Sequence, residues 1–280
     1  MNGYPRRKIS DFLARWGSLA MVLAALAPLG AVLGYLVAKG AGGISWSFFT
    51  ELPRPVGEAG GGMANALAGS AVLVGLACLL GLPVGLLGGI YLSEYGDNPF
   101  GKAIRFCADV LSGVPSITVG IFVYTVIVLS MKRFSALAGA AALAILMLPI
   151  VMRTTEELLR LVPVTLREAG LALGLPRWRV ILGVVLRTGA SGIATGVMLA
   201  VSRIAGETAP LLFTAFGSRF ISLKLDQPMG SLPVQIYTYA VSPYEDWHRQ
   251  AWAAALVLVL LVLALNLLAR TFTRKPGQGR

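Results

Sequence analysis

Charged residues are scarce in this sequence. They make up 13% of its 280 residues, whereas 56% are hydrophobic and the mean hydropathy is +0.75. A soluble domain carries roughly a quarter charged residues, so the composition excludes an ordinary soluble globular protein. The net charge of +11 would suggest nucleic acid in a soluble chain, but in a membrane protein lysine and arginine collect in cytoplasmic loops. We therefore expect a membrane protein with lipid around it and no nucleic-acid partner.

Cysteine and histidine are almost absent, which limits the chemistry that the chain can perform. Cys78 and Cys107 lie in or beside apolar runs, and His248 stands alone in a polar loop. No Cys/His spacing is that of a metal site. No nucleophile accompanies the histidine, and no carboxylate pair is placed to share a water and a substrate. We expect neither a metal site nor a catalytic site.

One short segment imitates a nucleotide-binding loop. The residues GDNPFGKA (96–103) have Walker A spacing, but Ala103 stands where a serine or threonine would hold Mg²⁺. The segment lies between two apolar runs, with no strand before it, and its Gly, Asp, Asn and Pro are typical of a turn. The chain is therefore expected to bind no cofactor of its own, and any ATP and Mg²⁺ to be bound by a partner ATPase.

Long apolar runs dominate what is present. Six are long enough to cross a bilayer, at about residues 17–38, 65–92, 109–130, 135–152, 190–216 and 251–269. The fourth run is short and rich in alanine, as suits a helix packed inside a bundle. The first follows a basic leader, but its apolar core is longer than that of a cleaved signal peptide, so we expect it to be retained.

The distribution of basic residues predicts the topology. Lysine and arginine concentrate before the first run, after the second and fourth runs, and in the tail. This bias predicts a multi-pass protein with both termini in the cytoplasm, and the family resemblance described below implies the bacterial inner membrane. With no internal repeat or linker, we expect one transmembrane domain (17–269) between a cytoplasmic N-terminal segment (1–16) and a cytoplasmic tail (270–280). The spacings Gly81/Gly85 and Gly192/Gly196 favour close helix packing.

The longest inside segment, about residues 153–189, is predicted to be structured. Thr165 and Glu168 have the spacing of a capping box, while Gly174 can end one helix and Pro176 can begin the next. The second helix would carry Arg177 and Trp178. These residues on their own favour two interpretations equally: an amphipathic stretch on the inner leaflet, or a docking element for a cytoplasmic protein, with Trp178 as an anchor.

The stretch EAGLALGLPRWRVILGVVLR resembles the coupling (EAA) loop of ABC importer permeases. The matching residues are Glu168, Ala169, Gly174 and Leu186, whereas Gly170, Val184 and Arg187 depart from that pattern. The resemblance implies an all-α, MetI-like permease fold with six transmembrane helices and cytoplasmic coupling helices. It also implies that the loop enters a groove of an ATPase, with contacts from Glu168, Ala169, Gly174, Arg177 and Trp178.

Further stretches resemble phosphate-importer permeases. They are YLSEYG, RFCADVLSGVPSITVGIFVY, SRIAGETAPLLFTAFG and QPMGSLPVQIYTYAVSPYEDWHRQAWAAALVLV. The resemblance implies a path shared with a sister permease, a dimeric ATPase that binds ATP and Mg²⁺, and an external phosphate-binding protein. Two alternatives remain: a permease for another oxyanion such as sulfate or molybdate, and a secondary transporter or channel.

Two ionisable residues, Arg203 and Glu207, lie one helical turn apart inside the fifth run. A charged side chain in hydrocarbon costs free energy, so a charge inside a span indicates a structural or functional role. Pro210 should kink the helix beside Gly206, which would place the charges at a cavity. Three interpretations compete. The pair could be a purely structural ion pair, or Arg203 could bind phosphate oxygens. In the third, Glu207 occupies Arg203 at rest, blocks small anions and rearranges as the path opens. Ser116 and Thr118, beside Pro115, could line the same path or only satisfy freed backbone groups.

Overall fold

The structure is a computed structural model that describes residues 4–55, 58 and 60–273. Within these residues the chain forms helices and no strand. The helices are α1 (Tyr4–Gly40), α2 (Trp46–Thr50), α3 (Ala64–Tyr95), α4 (Pro99–Gly113), α5 (Ser116–Val123), α6 (Leu129–Met131), α7 (Ala136–Arg160), α8 (Val164–Ala172), α9 (Arg177–Val180), α10 (Leu186–Ala205), α11 (Ala209–Thr214), α12 (Leu232–Ala240) and α13 (Glu245–Thr273). A 3₁₀ turn follows α1, and π-helical turns join α5 to α6 and α9 to α10. Most of the expected cytoplasmic tail, residues 274–280, lies outside the described residues, as do residues 1–3.

The predicted all-α membrane fold is confirmed. Five helices in the described part of the chain are long and apolar enough to cross a membrane, and the bent pair α4 and α5–α6 makes a sixth if it counts as one span. The run predicted at 109–130 contains a sharp break, because this pair bends by 103° between Gly113 and Ser116. Val114 has an extended backbone there (ψ 130°), as expected for a residue that precedes a proline.

The loop before α4 confirms the turn interpretation of the Walker-like segment. The Asn98 side chain accepts a hydrogen bond from the Gly101 amide at 2.8 Å, and Pro99 occupies the first turn of α4. An asparagine cap followed by proline is a standard helix start. Lys102 therefore belongs to an ordinary helix.

Helix α7 forms the centre of the bundle, as the alanine-rich run predicted. In its most apolar stretch 67% of the residues are buried, against 6% in α1. Its main neighbour is α3, whose glycines allow close approach: a Cβ on Gly85 would lie 2.9 Å from Val151 Cβ, and one on Gly89 would lie 2.6 Å from the Met152 carbonyl oxygen. Small residues at such contacts allow the helix backbones to pack closely in a membrane.

Helix α10 packs against α7 in the opposite direction. A Cβ on Gly192 would lie 2.9 Å from Leu158 Cδ2, and one on Gly196 would lie 2.9 Å from Thr154 Oγ1. The glycine spacing noted in the sequence therefore marks this contact. The contact also fixes the register of the two helices. That register determines which residue of α7 lies beside each residue further along α10.

The two ends of α7 contact different segments. At its C-terminal end the chain turns through 161–163 into α8. At its N-terminal end the Ala136 amide donates to the Gln227 carbonyl and the Ser135 amide donates to the Thr214 carbonyl, both at 3.0 Å. We call α8, the turn after it and α9 the coupling segment. The 215–231 loop and the coupling segment thus lie about 37 Å apart, at opposite ends of a 25-residue helix.

Candidate functional site

Arg203 and Glu207 form a loose ion pair at the end of α10. Arg203 Nε lies 3.8 Å from Glu207 Oε1, which is within ion-pair range but longer than a hydrogen bond. The Arg203 side chain is 57% exposed on the surface of this chain, whereas that of Glu207 is 16% exposed. The guanidinium therefore keeps donors that Glu207 does not use.

The register of α10 against α7 gives the depth of this pair. Gly192 lies level with Leu158 and Gly196 with Thr154, so continuing the antiparallel register places Arg203 level with Met147. Met147 is close to the midpoint of α7 and, at 1.5 Å per residue, about 20 Å from Arg160. The pair therefore lies near the middle of the span.

Pro210 does not kink a continuous helix, so that prediction is wrong. Helix α10 ends at Ala205, the chain is non-helical from Gly206 to Thr208, and Pro210 lies in the first turn of α11. A proline costs no hydrogen bond in that position, because the first amides of a helix have no partner within it. The last turn of α10 closes through the Gly206 amide to the Arg203 carbonyl at 3.2 Å.

The bend between α4 and α5 lies in the same part of the bundle as the end of α10. Helix α5 packs on α11, and a Cβ on Gly120 would lie 2.6 Å from Pro210 Cα. The contact is so close that no larger residue fits without displacing backbone. Tertiary packing thus brings together the two interrupted helices, which the sequence presents as unrelated runs about ninety residues apart.

Ser116 and Thr118 lie in the first turn of α5, within four residues of Gly120. Ser116 is partly buried and Thr118 is exposed. Among the described residues no hydrogen bond joins either hydroxyl to Arg203 or Glu207. The two residues therefore share a region with the ion pair, and in the described part of the chain they form no hydrogen bond with it.

The coupling segment has the predicted helix–turn–helix form, with two corrections. Gly174 ends α8 with φ of +75°, a conformation that favours glycine. Thr165 is not the N-cap of α8: Pro163 occupies that position, with no side-chain cap bond, so the predicted capping box with Glu168 is absent. The second helix is not separate either, because α9 continues through a π-helical turn into α10.

The coupling segment presents an exposed surface. Glu168, Ala169 and Arg177 are exposed, and Trp178 is 56% exposed with the Arg179 guanidinium 5.1 Å from its ring centroid. Leu173, beside the turn, is the most exposed apolar residue here, at 82%. Gly170, which departs from the EAA pattern, is explained by packing: a Cβ there would lie 2.9 Å from Val180 Cγ2.

Sequence reasoning missed a buried ion pair that holds α8. Arg167 Nη2 lies 2.7 Å from Glu94 Oε1 at the end of α3, and both side chains are largely buried. Arg167 also donates to the carbonyls of Leu159 and Val162, at the end of α7. Arginine bonds of this kind satisfy carbonyls that a helix leaves open. The ion pair therefore fixes the coupling segment against two membrane helices.

A second missed feature is a buried carboxylate surrounded by arginines. Glu156 on α7 is 2% exposed and bonds Arg105 at 2.6 Å, Arg153 at 3.1 Å and Arg160 at 3.2 Å. The spacing of Arg153, Glu156 and Arg160 on one helix face was visible in the sequence. The contribution of Arg105 from α4 was not, since it depends on how α4 packs against α7.

Comparisons with known proteins agree with this architecture. The family described as "Binding-protein-dependent transport system inner membrane component" matches residues 81–276. The "Phosphate transport system permease protein PstA" of Yersinia pestis is 49% identical over 92% of this chain and 88% of its own length. The protein of the same name from Haemophilus influenzae is 48% identical over 86% of each chain.

Solved structures show the same fold at low sequence identity. A chain from the structure of a bacterial alginate ABC transporter gives a TM-score of 0.68 at 15% identity, and the match covers 95% of this chain and 96% of that chain. A chain of the MetNI methionine ABC transporter gives 0.60 at 18% identity, covering 76% and 94%. On the family match and its close relatives, this chain belongs to the PstA family of phosphate transport system permeases, within the inner membrane components of binding-protein-dependent ABC importers.

Proposed function

We propose that this chain is the permease subunit of an ATP-driven importer of inorganic phosphate, and that Arg203 and Glu207 act on its translocation path. The observation that carries the proposal is the loose pair itself, in the middle of the span at the break between α10 and α11. A break beside embedded charges is typical of backbone that lines a cavity. The names of the relatives support phosphate as the substrate.

Arg203 is proposed to act as a transient ligand for phosphate oxygens. Guanidinium presents a flat array of donors that fits an oxyanion in a bidentate manner. Glu207 occupies Arg203 weakly at rest, at 3.8 Å, and moves away when phosphate reaches the break. Gly206 and Pro210 permit this movement because the backbone is already non-helical between α10 and α11. Ser116 and Thr118 line the neighbouring wall, which the contact between Gly120 and Pro210 holds in place.

An ABC importer permease works with an ATPase and a substrate-binding protein. The finer assignment proposed here is a sister permease of the PstC kind, a PstB-like ATPase dimer that binds ATP and Mg²⁺, and an external PstS-like phosphate-binding protein. The exposed residues of the coupling segment, Glu168, Ala169, Gly174, Arg177 and Trp178, contact the ATPase. That assignment puts α8 and both termini in the cytoplasm and the 215–231 loop on the outer face. The chain is a transporter subunit and not an enzyme, and ATP hydrolysis belongs to the partner ATPase.

The test is ATP-dependent uptake of radiolabelled phosphate by proteoliposomes that contain the full complex. We expect Arg203→Gln to reduce uptake about tenfold or more, because it removes charged hydrogen bonds to phosphate, which contribute about 1.5–3 kcal/mol. Glu207→Gln should also reduce uptake, because it removes the charge that occupies Arg203 at rest. Lys224→Gln and Glu157→Gln remove one exposed charge of each sign elsewhere and should transport normally. Normal uptake by both path variants would show that the pair is only structural.

Competition by unlabelled anions in the same uptake assay distinguishes phosphate from other oxyanions as the substrate. Unlabelled phosphate should reduce uptake, whereas sulfate and molybdate at the same concentration should not. If sulfate or molybdate is transported in preference to phosphate, the chain serves another oxyanion.

A further inference from the structure

A pocket of about 320 Å³ opens at the end of the bundle opposite the coupling segment. It lies between the 215–231 loop, α12 and the start of α13, and none of the residues that line it belongs to the path proposed above. The loop is held at the N-terminal end of α7 by the hydrogen bond from the Ala136 amide to the Gln227 carbonyl.

The frame of this pocket is held by backbone reversals, hydrogen bonds and close packing. Phe216 and Gly217 have positive φ values of 62° and 122°, which reverse the chain after α11. The Asn65 side chain, in the first turn of α3, donates to the Ser218 carbonyl and, at 3.2 Å, to Gln235 Oε1. A Cβ on Gly69 would overlap the Gly230 carbonyl oxygen. The loop is therefore fixed at both of its ends against α3.

Three residues with hydrogen-bond donors are among those that line the pocket. Arg219 is exposed, with its guanidinium 5.8 Å from the ring centroid of Trp247. Ser231 is 2% exposed, and its buried hydroxyl has no hydrogen-bond partner in the described part of the chain. Tyr239 is buried, and burial raises the pKa of its phenol although Gln235 and Arg219 lower it. The phenol therefore stays protonated near neutral pH and can donate.

The charge of the pocket selects the class of ligand. None of the described residues that line it is acidic, so a cation has no counter-charge there. A buried hydroxyl without a partner is costly, which makes Ser231 a site that a ligand oxygen would satisfy. A guanidinium and two hydroxyl donors fit a ligand with several acceptor oxygens and negative charge.

We propose that this pocket binds a phosphoryl oxyanion through Arg219, Ser231 and Tyr239. The group can come from free inorganic phosphate or from a phospholipid headgroup, since the chemistry recognised is the same. If the source is free phosphate, the pocket holds the substrate before it reaches Arg203, and this use rests on the proposed function. The binding itself does not.

Trp247 gives a local optical signal for the test. Its ring stacks on Tyr239 at 4.4 Å between centroids and lies beside Arg219. The purified full complex is titrated with inorganic phosphate in a phospholipid-free maltoside detergent without ATP. A parallel titration uses nanodiscs, comparing phosphatidylglycerol with a phosphate-free glycolipid. We expect phosphate or phosphatidylglycerol to change the fluorescence, chloride at equal ionic strength not to, and Trp247→Phe to abolish the change.

The substitutions separate this pocket from other anion sites. Arg219→Gln should weaken binding about tenfold or more and Ser231→Ala about threefold or more, as for a charged and a neutral hydrogen bond. Both should leave the fold intact, because Arg219 is exposed and the Ser231 side chain caps no helix. Lys224→Gln, in the same loop, should bind as the parent protein does, and Arg203→Gln should keep the Trp247 response.

Each outcome has a definite meaning. A response to inorganic phosphate identifies the free anion, and a response to phosphatidylglycerol alone identifies the headgroup. No response to either, or equal binding by Arg219→Gln and the parent protein, overturns the proposal. Because binding is measured without ATP, a complex that binds phosphate here but does not transport it refutes only the proposed function. A complex that transports phosphate but shows no Trp247 fluorescence change with phosphate or phosphatidylglycerol refutes only the pocket.

Discussion

Arg167 joins the coupling segment to the membrane bundle through Glu94, with Arg167 Nη2 and Glu94 Oε1 2.7 Å apart. The two residues belong to different helices, α8 and α3, and Arg167 also binds carbonyls at the end of α7. A movement of α8 therefore pulls directly on two central helices. If an ATPase binds the coupling segment as proposed, this contact connects it to the helices of the bundle.

Breaking this ion pair should uncouple the transporter. Glu94→Gln leaves the Arg167 charge buried without its partner, which costs about 3 kcal/mol at a buried pair. We expect less phosphate transported per ATP hydrolysed, measured in proteoliposomes with the ATPase present in excess. Arg187→Gln, an exposed arginine on α10, is the control and should keep the ratio. An unchanged ratio in Glu94→Gln would mean that α8 is held by its other contacts.

Glu156 should be essential for the stability of the fold. Glu156→Gln removes the carboxylate that three arginines share, and we expect a loss of about 3 kcal/mol or more, because the arginines lose their buried counter-charge. They keep only the exposed carboxylates of Asp97 and Asp109. The measurement is the thermal unfolding temperature of the purified complex. The neighbouring Glu157 is exposed, so Glu157→Gln tests charge loss without burial. Equal unfolding temperatures for the two variants would contradict the prediction.

The contact between Gly120 and Pro210 should be required for transport. Gly120→Ala forces α5 away from α11, because the added Cβ would lie 2.6 Å from Pro210 Cα. We expect a drop in phosphate uptake of about tenfold, since overpacking commonly costs about 1–3 kcal/mol. Gly75→Ala, where an added Cβ meets no atom within 4 Å, is the matched control on α3. Similar uptake by both variants would show that the two breaks do not depend on this contact.

The exposed apolar residues of the coupling segment should carry the ATPase contact. Trp178→Ala and Leu173→Ala should each weaken retention of the ATPase about thirtyfold, as for an interface residue that contributes about 2 kcal/mol. Co-purification at several salt concentrations measures this loss. Trp46 is more accessible than Trp178, at 82% against 56% exposed, but lies at the other end of the molecule on α2. If Trp46→Ala loses as much ATPase as Trp178→Ala, the surface has been assigned wrongly.

Much of this protein follows from patterns that act locally along the chain. Apolar runs of about twenty residues predict spans whatever they pack against, and the alanine-rich run identified the central helix α7. Gly174 ended α8 as predicted, because its positive φ is a requirement of a single residue. The motif in SRIAGETAPLLFTAFG located Arg203 and Glu207 and the family, although it did not predict that α10 would break completely.

The tertiary structure decided everything that depends on two distant segments. The bend of α4 against α5 follows the local preference before Pro115, but its 103° angle and its contact with α11 come from packing. Glu94 with Arg167, and Arg105 with Glu156, are separated by 73 and 51 residues, so no periodicity relates them. The Ser231 hydroxyl became a candidate anion-binding group only when folding buried it without a hydrogen-bond partner in the described part of the chain. Sequence thus determined which segments cross the membrane and where the charges lie, whereas burial in the folded bundle determined which charges have partners.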